Sequence, residues 1–298
     1  MRAQVTLIPT ESKKLIGKAV ARLDVVQRAL AEGTIVLHPS SSTYFIVEEL
    51  LGKRPDTNFW VAGIVCPKGT CVEMGAGVGQ KSVVAEQPEG IAVVDNPLAY
   101  RMFWVIRGGE LSSGSTLGEL LDQMGPKDVY IKGVNALDVD GNVGVLIGNL
   151  TEGGTIARAV ARARDRGFHL IFPVGLEKLI PVSIKQAAKE ALRKTYTYSM
   201  GVACNLFPCE GGLVVTELKA IEILAEATAI PISAGGLGGA EGAVTLVIKG
   251  EDEQVNQAIS YLEECKGAQI PAARTFNCYD CSFVLCKFPV KGKSWVIQ

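Results

Sequence analysis

The sequence predicts an α/β fold: a mostly parallel open sheet with helices on both faces, joined to a small ferredoxin-like α/β sandwich. Three observations predict it. Short apolar runs of strand length alternate with helical stretches over residues 12–194, the pattern of a sheet covered on both faces. Past residue 205 the order becomes strand–helix–strand–strand–helix, which is that of a ferredoxin-like unit. The composition, 48% hydrophobic and 20% charged over 298 residues, supplies enough apolar material for a sizeable core. The expected division is therefore residues 1–205 for the larger domain and 206–298 for the smaller one with a cysteine-containing C-terminal segment.

Taken in order, Ser12 is placed to cap a helix that carries Ile16, Val20, Leu23 and Leu30, with Gly33 as its stop. Thr34 to Leu37 is a buried strand, and Val47, Leu50 and Leu51 belong to the next helix, which stops at Gly52. Strands are expected at Trp60–Val65, Ile91–Val94, Phe103–Ile106, Val129–Ile131, Val143–Ile147 and Leu170–Val174. Helices are expected at Thr116–Met124, with Ser115 as cap, at Ile156–Arg166, and at Ile184–Lys194. Tyr196–Cys209 has no helical period and reads as a strand or a linker. The second unit then runs Leu213–Val215, a helix from Glu217, strands near Ile230–Ile232 and Ala243–Ile248, and a helix at Glu253–Leu262.

Length gives a soft prior of about two domains. The 30 basic and 31 acidic side chains leave a formal charge of -1, so there is no basic excess for nucleic acid. No run approaches the ~20 apolar residues that span a bilayer. The apolar start, Val5 to Ile8, is too short for a secretion signal. The expectation is a cytoplasmic protein without a membrane or nucleic-acid partner, whose eight cysteines are thiols or metal ligands rather than disulfides.

The candidate site begins at Pro39-Ser40-Ser41-Ser42-Thr43, between a strand end and a helix start. Helix N-terminal amides and the dipole favour an anion there, and ligands in open parallel sheets sit at the carboxyl ends of strands. Ordinary capping by Ser and Thr is the competing reading. Lys132 and Asn135, just beyond the Val129–Ile131 strand, fall at the same edge by that rule. His38 lies beside the turn. Cys278, Cys281 and Cys286 have spacing that zinc or an iron–sulfur cluster can use, but three ligands without a clear fourth fall short of a closed site, and an apolar strand with buried thiols is the competing reading. The glycine runs at 74–79 and 234–242 match neither a dinucleotide fingerprint nor a P-loop. They read as a lid-like loop and a wide hairpin.

Gly33 to Thr43 resembles the first phosphate-loop segment of the superfamily that holds ribose-5-phosphate isomerase, glucosamine-6-phosphate deaminase, CoA transferases and initiation-factor-2B-like proteins. Arg107-Gly108-Gly109-Glu110-Leu111 is similar to a glycine turn in the sugar-phosphate-sensing repressors of that group. Asp128 to Leu137, followed by Asp140-Gly141-Asn142-Val143, resembles the strand and turn that carry the catalytic carboxylate in its enzymes. The resemblance covers about residues 12–182. It implies a small anionic metabolite (a phosphorylated sugar, an organic acid or a CoA ester) held by Ser40, Ser41, Ser42, Thr43, Lys132 and Asn135. Asn135 stands where the enzymes have a carboxylate, so proton abstraction would fall to Glu152 or His38. Two other functions stay open: a non-catalytic homo-oligomeric assembly protein joined through sheet edges, and a metal protein using the three C-terminal cysteines.

Overall fold

The computed structural model describes residues 1–55, 70–72, 84–87, 90–93, 103–112, 115–147, 154–199, 203–271 and 275–277. The chain opens on a strand, β1 (Arg2–Leu7), whose exposure alternates residue by residue until the buried Leu7. Helix α1 (Pro9–Ala21) follows, with proline in its first turn, where a missing N–H is harmless. The Ile8 amide donates to the Glu11 carboxylate at 3.0 Å and closes that turn. The expected long helix is in fact two. Leu23 is extended, and α2 (Asp24–Glu32) begins after it. The helical spacing of apolar residues runs straight through this break, which is why periodicity missed it.

The central element is a six-stranded sheet in the order β13 (Leu213–Val215), β11 (His169–Pro173), β8 (Val129–Ile131), β2 (Thr34–Leu37), β6 (Trp104–Arg107), β7 (Glu110–Ser112). The first four strands are parallel. β6 pairs antiparallel with β2, and β7 folds back on β6. The Gly108-Gly109 turn between them uses positive φ angles of 55° and 77°, which glycine adopts without steric cost. Asp128 aligns the strand starts, since its carboxylate accepts from the Thr34 amide at 2.6 Å and the Gly125 amide at 2.7 Å. A Cβ on Gly33 would lie 2.4 Å from the Lys127 carbonyl, so this strand entry needs glycine.

Alternation along the parallel strands feeds two apolar cores. Ile35, Leu37, Val129, Ile131, Ile171 and Val215 pack on one face beneath α1, α2, α3 (Tyr44–Leu51), α7 (Glu217–Ala225) and α8 (Asp252–Cys265). Val36, Tyr130, Leu170 and Phe172 face the other way, against α4 (Leu117–Gln123) and α5 (Gly154–Arg166). A small sheet of β9 (Ala136–Leu137), β10 (Val143–Ile147) and β12 (Asn205–Cys209) covers the second face as well. Both faces of the sheet are thus buried, as the near-continuous apolar strands require.

The strand–helix–strand–strand–helix order expected near the C-terminus is present along the chain, but its pairing differs. β13 lies in the six-stranded sheet, whereas β14 (Thr228–Gly235) and β15 (Ala243–Lys249) pair with β1 in the order β1-β15-β14. β12 likewise pairs with β10, so hydrogen bonding crosses position 205. Sequence adjacency suggested a local unit. The partner that completes its sheet comes from the opposite end of the chain. The expected Ile184–Lys194 helix ends earlier, as α6 (Ile184–Glu190) and a short 3-10 turn. β3 (Thr70–Val72) pairs with β16 (Thr275–Asn277), and β4 (Val84–Gln87) with β5 (Gly90–Val93). No helix among the described residues is long and apolar enough to cross a membrane.

Candidate functional site

The four parallel strands end on the same edge, and each delivers polar groups there. β2 runs into His38 and the Ser40–Thr43 turn. β8 runs into Lys132 and Gly133. β11 runs into Gly175-Leu176-Glu177-Lys178, and β13 into Thr216 and Glu217. The His38 amide donates to the Ile131 carbonyl at 3.0 Å and the Lys132 amide to the Ile171 carbonyl at 3.1 Å, so the sheet ladder itself sets the position of both side chains.

The turn is held by Thr43. Its hydroxyl donates to the His38 carbonyl at 2.7 Å and accepts from the Ser40 amide at 3.0 Å. Thr43 is fully buried and thereby fixes the loop rather than facing a ligand. Ser40 and Ser41 are partly exposed and Ser42 is buried. A Cβ on Gly133 would come to 3.1 Å from the hydroxyl oxygens of both Ser40 and Ser42. The two hydroxyls therefore converge on the glycine that follows Lys132.

Lys132 and His38 form a buried pair. Nζ lies 2.9 Å from His38 Nδ1, with Lys132 6% and His38 5% exposed. The His38 ring packs against Phe103 at 5.3 Å between centroids. Among the described residues, Lys132 has no carboxylate partner. Burial lowers the Lys132 amine to about 7, with the Cys209 thiol acting weakly the other way. Burial, and then the neighbouring Lys132, push His38 well below the ordinary imidazole range. Burial thus drives both members of the pair toward their uncharged forms.

A second cluster lies on the other side of the turn. Lys178 Nζ donates to the Val134 carbonyl at 2.8 Å and to Ser42 Oγ at 3.4 Å. Its amine is lowered to about 8, by burial above all and also by Lys13, against the opposing pull of Glu177 and Glu217. Glu217 is fully buried, accepts from the Leu176 amide through both oxygens at 3.1 and 3.0 Å, and is pushed up to about 7 by burial. Ser12, the expected helix cap, instead lies in the first turn of α1 and hydrogen-bonds Glu217. Glu177 pairs with Lys13 at 3.7 Å. Its carboxylate folds over Gly175, where a Cβ would lie 1.8 Å from an oxygen.

The structure brings His38, Ser40, Ser42 and Lys132 together at one edge of the sheet. Asn135 is engaged elsewhere: its Oδ1 accepts from the Leu146 amide at 2.9 Å, which ties β9 to β10. Glu152, Cys278, Cys281 and Cys286 lie outside the described residues, as do the 74–79 glycine run and the Trp60–Val65 strand. Among the described residues no group of three ligating side chains could hold a metal ion. Sequence reasoning missed Lys178, Glu217 and Ser12. For Lys178 the signal was present, because the strand-end rule applies to β11 as it does to β2 and β8. Glu217 and Ser12 looked like ordinary first-turn residues of helices. No family model, curated protein or solved structure matches the chain.

Proposed function

We propose that the chain binds a small anionic metabolite at the carboxyl ends of β2, β8 and β11. The observation that carries this reading is the buried Lys132 and the half-buried Lys178 beside the Ser40 and Ser42 hydroxyls, with no carboxylate on Lys132 among the described residues. An unpaired ammonium inside a protein costs several kcal/mol. A bound phosphate or carboxylate removes that cost by supplying the missing charge. Ser40 and Ser42 add hydroxyl donors. The reading agrees with the resemblance to the isomerase and CoA-transferase superfamily in ligand class. In that alignment Asn135 takes the place of the catalytic carboxylate, so His38 and Lys132 stand as the groups that handle protons.

Thermal shift with inorganic phosphate, sugar phosphates, short organic acids and CoA esters tests the reading. A ligand at a hundred times its dissociation constant stabilises by about 2.7 kcal/mol. Ser42→Ala weakens the response about tenfold while leaving the fold intact, the loss of one charge-assisted hydrogen bond. Unchanged affinity in that variant removes Ser42 from the site. A second reading, assembly into a homo-oligomer, draws on β14. It is a sheet edge whose Ile230 and Ile232 are exposed, and Leu237 stands out on the hairpin beyond it at 89%. Sizing chromatography tests this, and a strict monomer removes it.

A further inference from the structure

We propose that Lys132 is a nucleophile that condenses with the carbonyl carbon of a small anionic aldehyde, ketone or 2-oxo acid, and that His38 shuttles the proton this step requires. The inference rests on the anion-site reading above and names the chemistry of its substrate.

Three features of the geometry point to Lys132. Its side chain is buried, and its nitrogen has an imidazole, not a carboxylate, at 2.9 Å. A carboxylate would hold the amine as an ammonium and occupy its lone pair. An imidazole with its proton on Nε2 accepts a hydrogen bond from the amine and leaves that lone pair available. The next residue, Gly133, has no side chain and lies against the Ser40 and Ser42 hydroxyls. An anionic group held by those hydroxyls and by Lys178 therefore lies one residue from the amine. Lys178 is the wrong nucleophile. Its nitrogen is committed to the Val134 carbonyl and Ser42, and Glu177, Glu217 and Lys13 surround it. The Lys132 amine at about 7 fits the same role, as a lysine made nucleophilic by desolvation.

The step balances without an oxidant or reductant. The Nζ lone pair forms the C–N bond as the carbonyl π pair moves to oxygen. His38 Nδ1 takes a proton from nitrogen. Returned to the oxygen, that proton makes the carbinolamine hydroxyl; the second amine proton, carried the same way, lets the C–O bond break, and water leaves. Amine and carbonyl give an imine and water.

The test is reductive trapping on the full chain near neutral pH. Pyruvate, glyoxylate and acetaldehyde are each added with sodium cyanoborohydride, and modified lysines are mapped by peptide mass spectrometry. Lactate, which keeps the carboxylate of pyruvate but has no carbonyl, is run in parallel by thermal shift. At pH 7 an amine titrating near 7 is free base roughly a thousandfold more often than a solvated lysine. The expected result is modification of Lys132 ahead of all exposed lysines. His38→Gln is expected to slow it about a hundredfold, the lower end of the range for loss of a proton-transfer group. Stabilisation by lactate with no preferential adduct on Lys132 leaves the anion site standing and overturns this inference. An acetaldehyde adduct on Lys132 without stabilisation by lactate supports the nucleophile and overturns the anion reading. Modification spread evenly over the lysines overturns the inference too. Because the mapping is done on the unaltered protein, the result stands even if Lys132→Met does not fold.

Discussion

Lys132→Met should make the protein more stable and ligand-deaf at once. Methionine matches the lysine stem as far as Cε and has no charge to bury. The gap between 10.5 and about 7 at Lys132, at about 1.4 kcal/mol for each tenfold change in acidity, comes to roughly 5 kcal/mol. The sign follows from the depressed value. The unfolded chain holds the proton more tightly, so the penalty is absent above pH 10.5 and grows as pH falls to about 7. Below that the penalty is complete. Methionine escapes it but leaves His38 Nδ1 without its partner, a loss of about 1 to 2 kcal/mol. The net gain is then about 3 kcal/mol at pH 7, falling to nothing near pH 9. Over the neutral range the two groups facing Lys132 do not interfere. Cys209 is pushed up to about 12 by burial and His38 is held well below its usual range. Lys178 and Glu217 also titrate, but equally in both proteins. For a chain of 298 residues, 3 kcal/mol is about 5 °C in Tm. Urea titrations of both proteins at pH 7 and pH 9 measure the difference directly. A variant less stable at pH 7, or a difference that does not shrink with pH, would refute the reasoning.

The remaining predictions concern the neighbours of that pair. Glu217, raised from 4.5 to about 7, contributes stability that is complete below pH 4.5 and lost as pH rises through 7. The fall is about 3 kcal/mol, and Glu217→Gln should flatten it in urea midpoints taken across that range. The groups facing Glu217 are Glu177, Lys178, Ser12 and the Leu176 amide. Gly133→Ala places a methyl 3.0 Å from Ser42 Cβ and 3.1 Å from both hydroxyls. It should lower anion affinity by about 1 to 2 kcal/mol through displaced serines, as read by calorimetric titration with phosphate. Asp138→Ala should destabilise by about 3 kcal/mol, because that carboxylate accepts from the Asp140, Asn142 and Ile184 amides and the Asn142 side chain. It should leave phosphate affinity unchanged, since Asp138 serves the turn before β10 and the start of α6.

The part of this architecture visible in the sequence is the part set by local chemistry. β2, β8 and β11 are short runs of branched and aromatic residues closed by polar turns, and they announced themselves. The Ser40–Thr43 turn and Lys132 followed from the strand-end rule. β1 was missed because Arg2-Ala3-Gln4-Val5-Thr6-Leu7 is only half apolar. It is a strand because β15, some 240 residues away, accepts its ladder from Arg2 against Lys249 to Leu7 against Val244. The second unit was misread for the same reason: nothing near β13 in sequence tells that it pairs with β11. The site was half legible. Serines and a lysine at a strand end are local signals. The meeting of Lys178 with Ser42, or of Glu217 with Ser12, depends on helices and strands that close only in the folded chain.

That division bears on why an amine stands at position 132. The residues before it on β8, Val129, Tyr130 and Ile131, are fully buried and satisfy the demands of a covered sheet. Lys132 occupies the next position, still inside the second core, and its backbone amide is already used by the Ile171 carbonyl. The fold therefore needs the main chain there and gains nothing from the ammonium, which is expensive to bury and lacks a carboxylate among the described residues. His38 shows the same pattern. Its amide holds β2 to β8, while its ring is kept uncharged beside the amine. Apolar side chains at both positions would fill the same space at lower energy. Two adjacent polar groups whose backbones are structural and whose side chains only cost stability are what a reactive pair looks like from the standpoint of folding. Increased stability in Lys132→Met, together with lost trapping by carbonyl compounds, would separate that trade-off from a purely structural hydrogen bond.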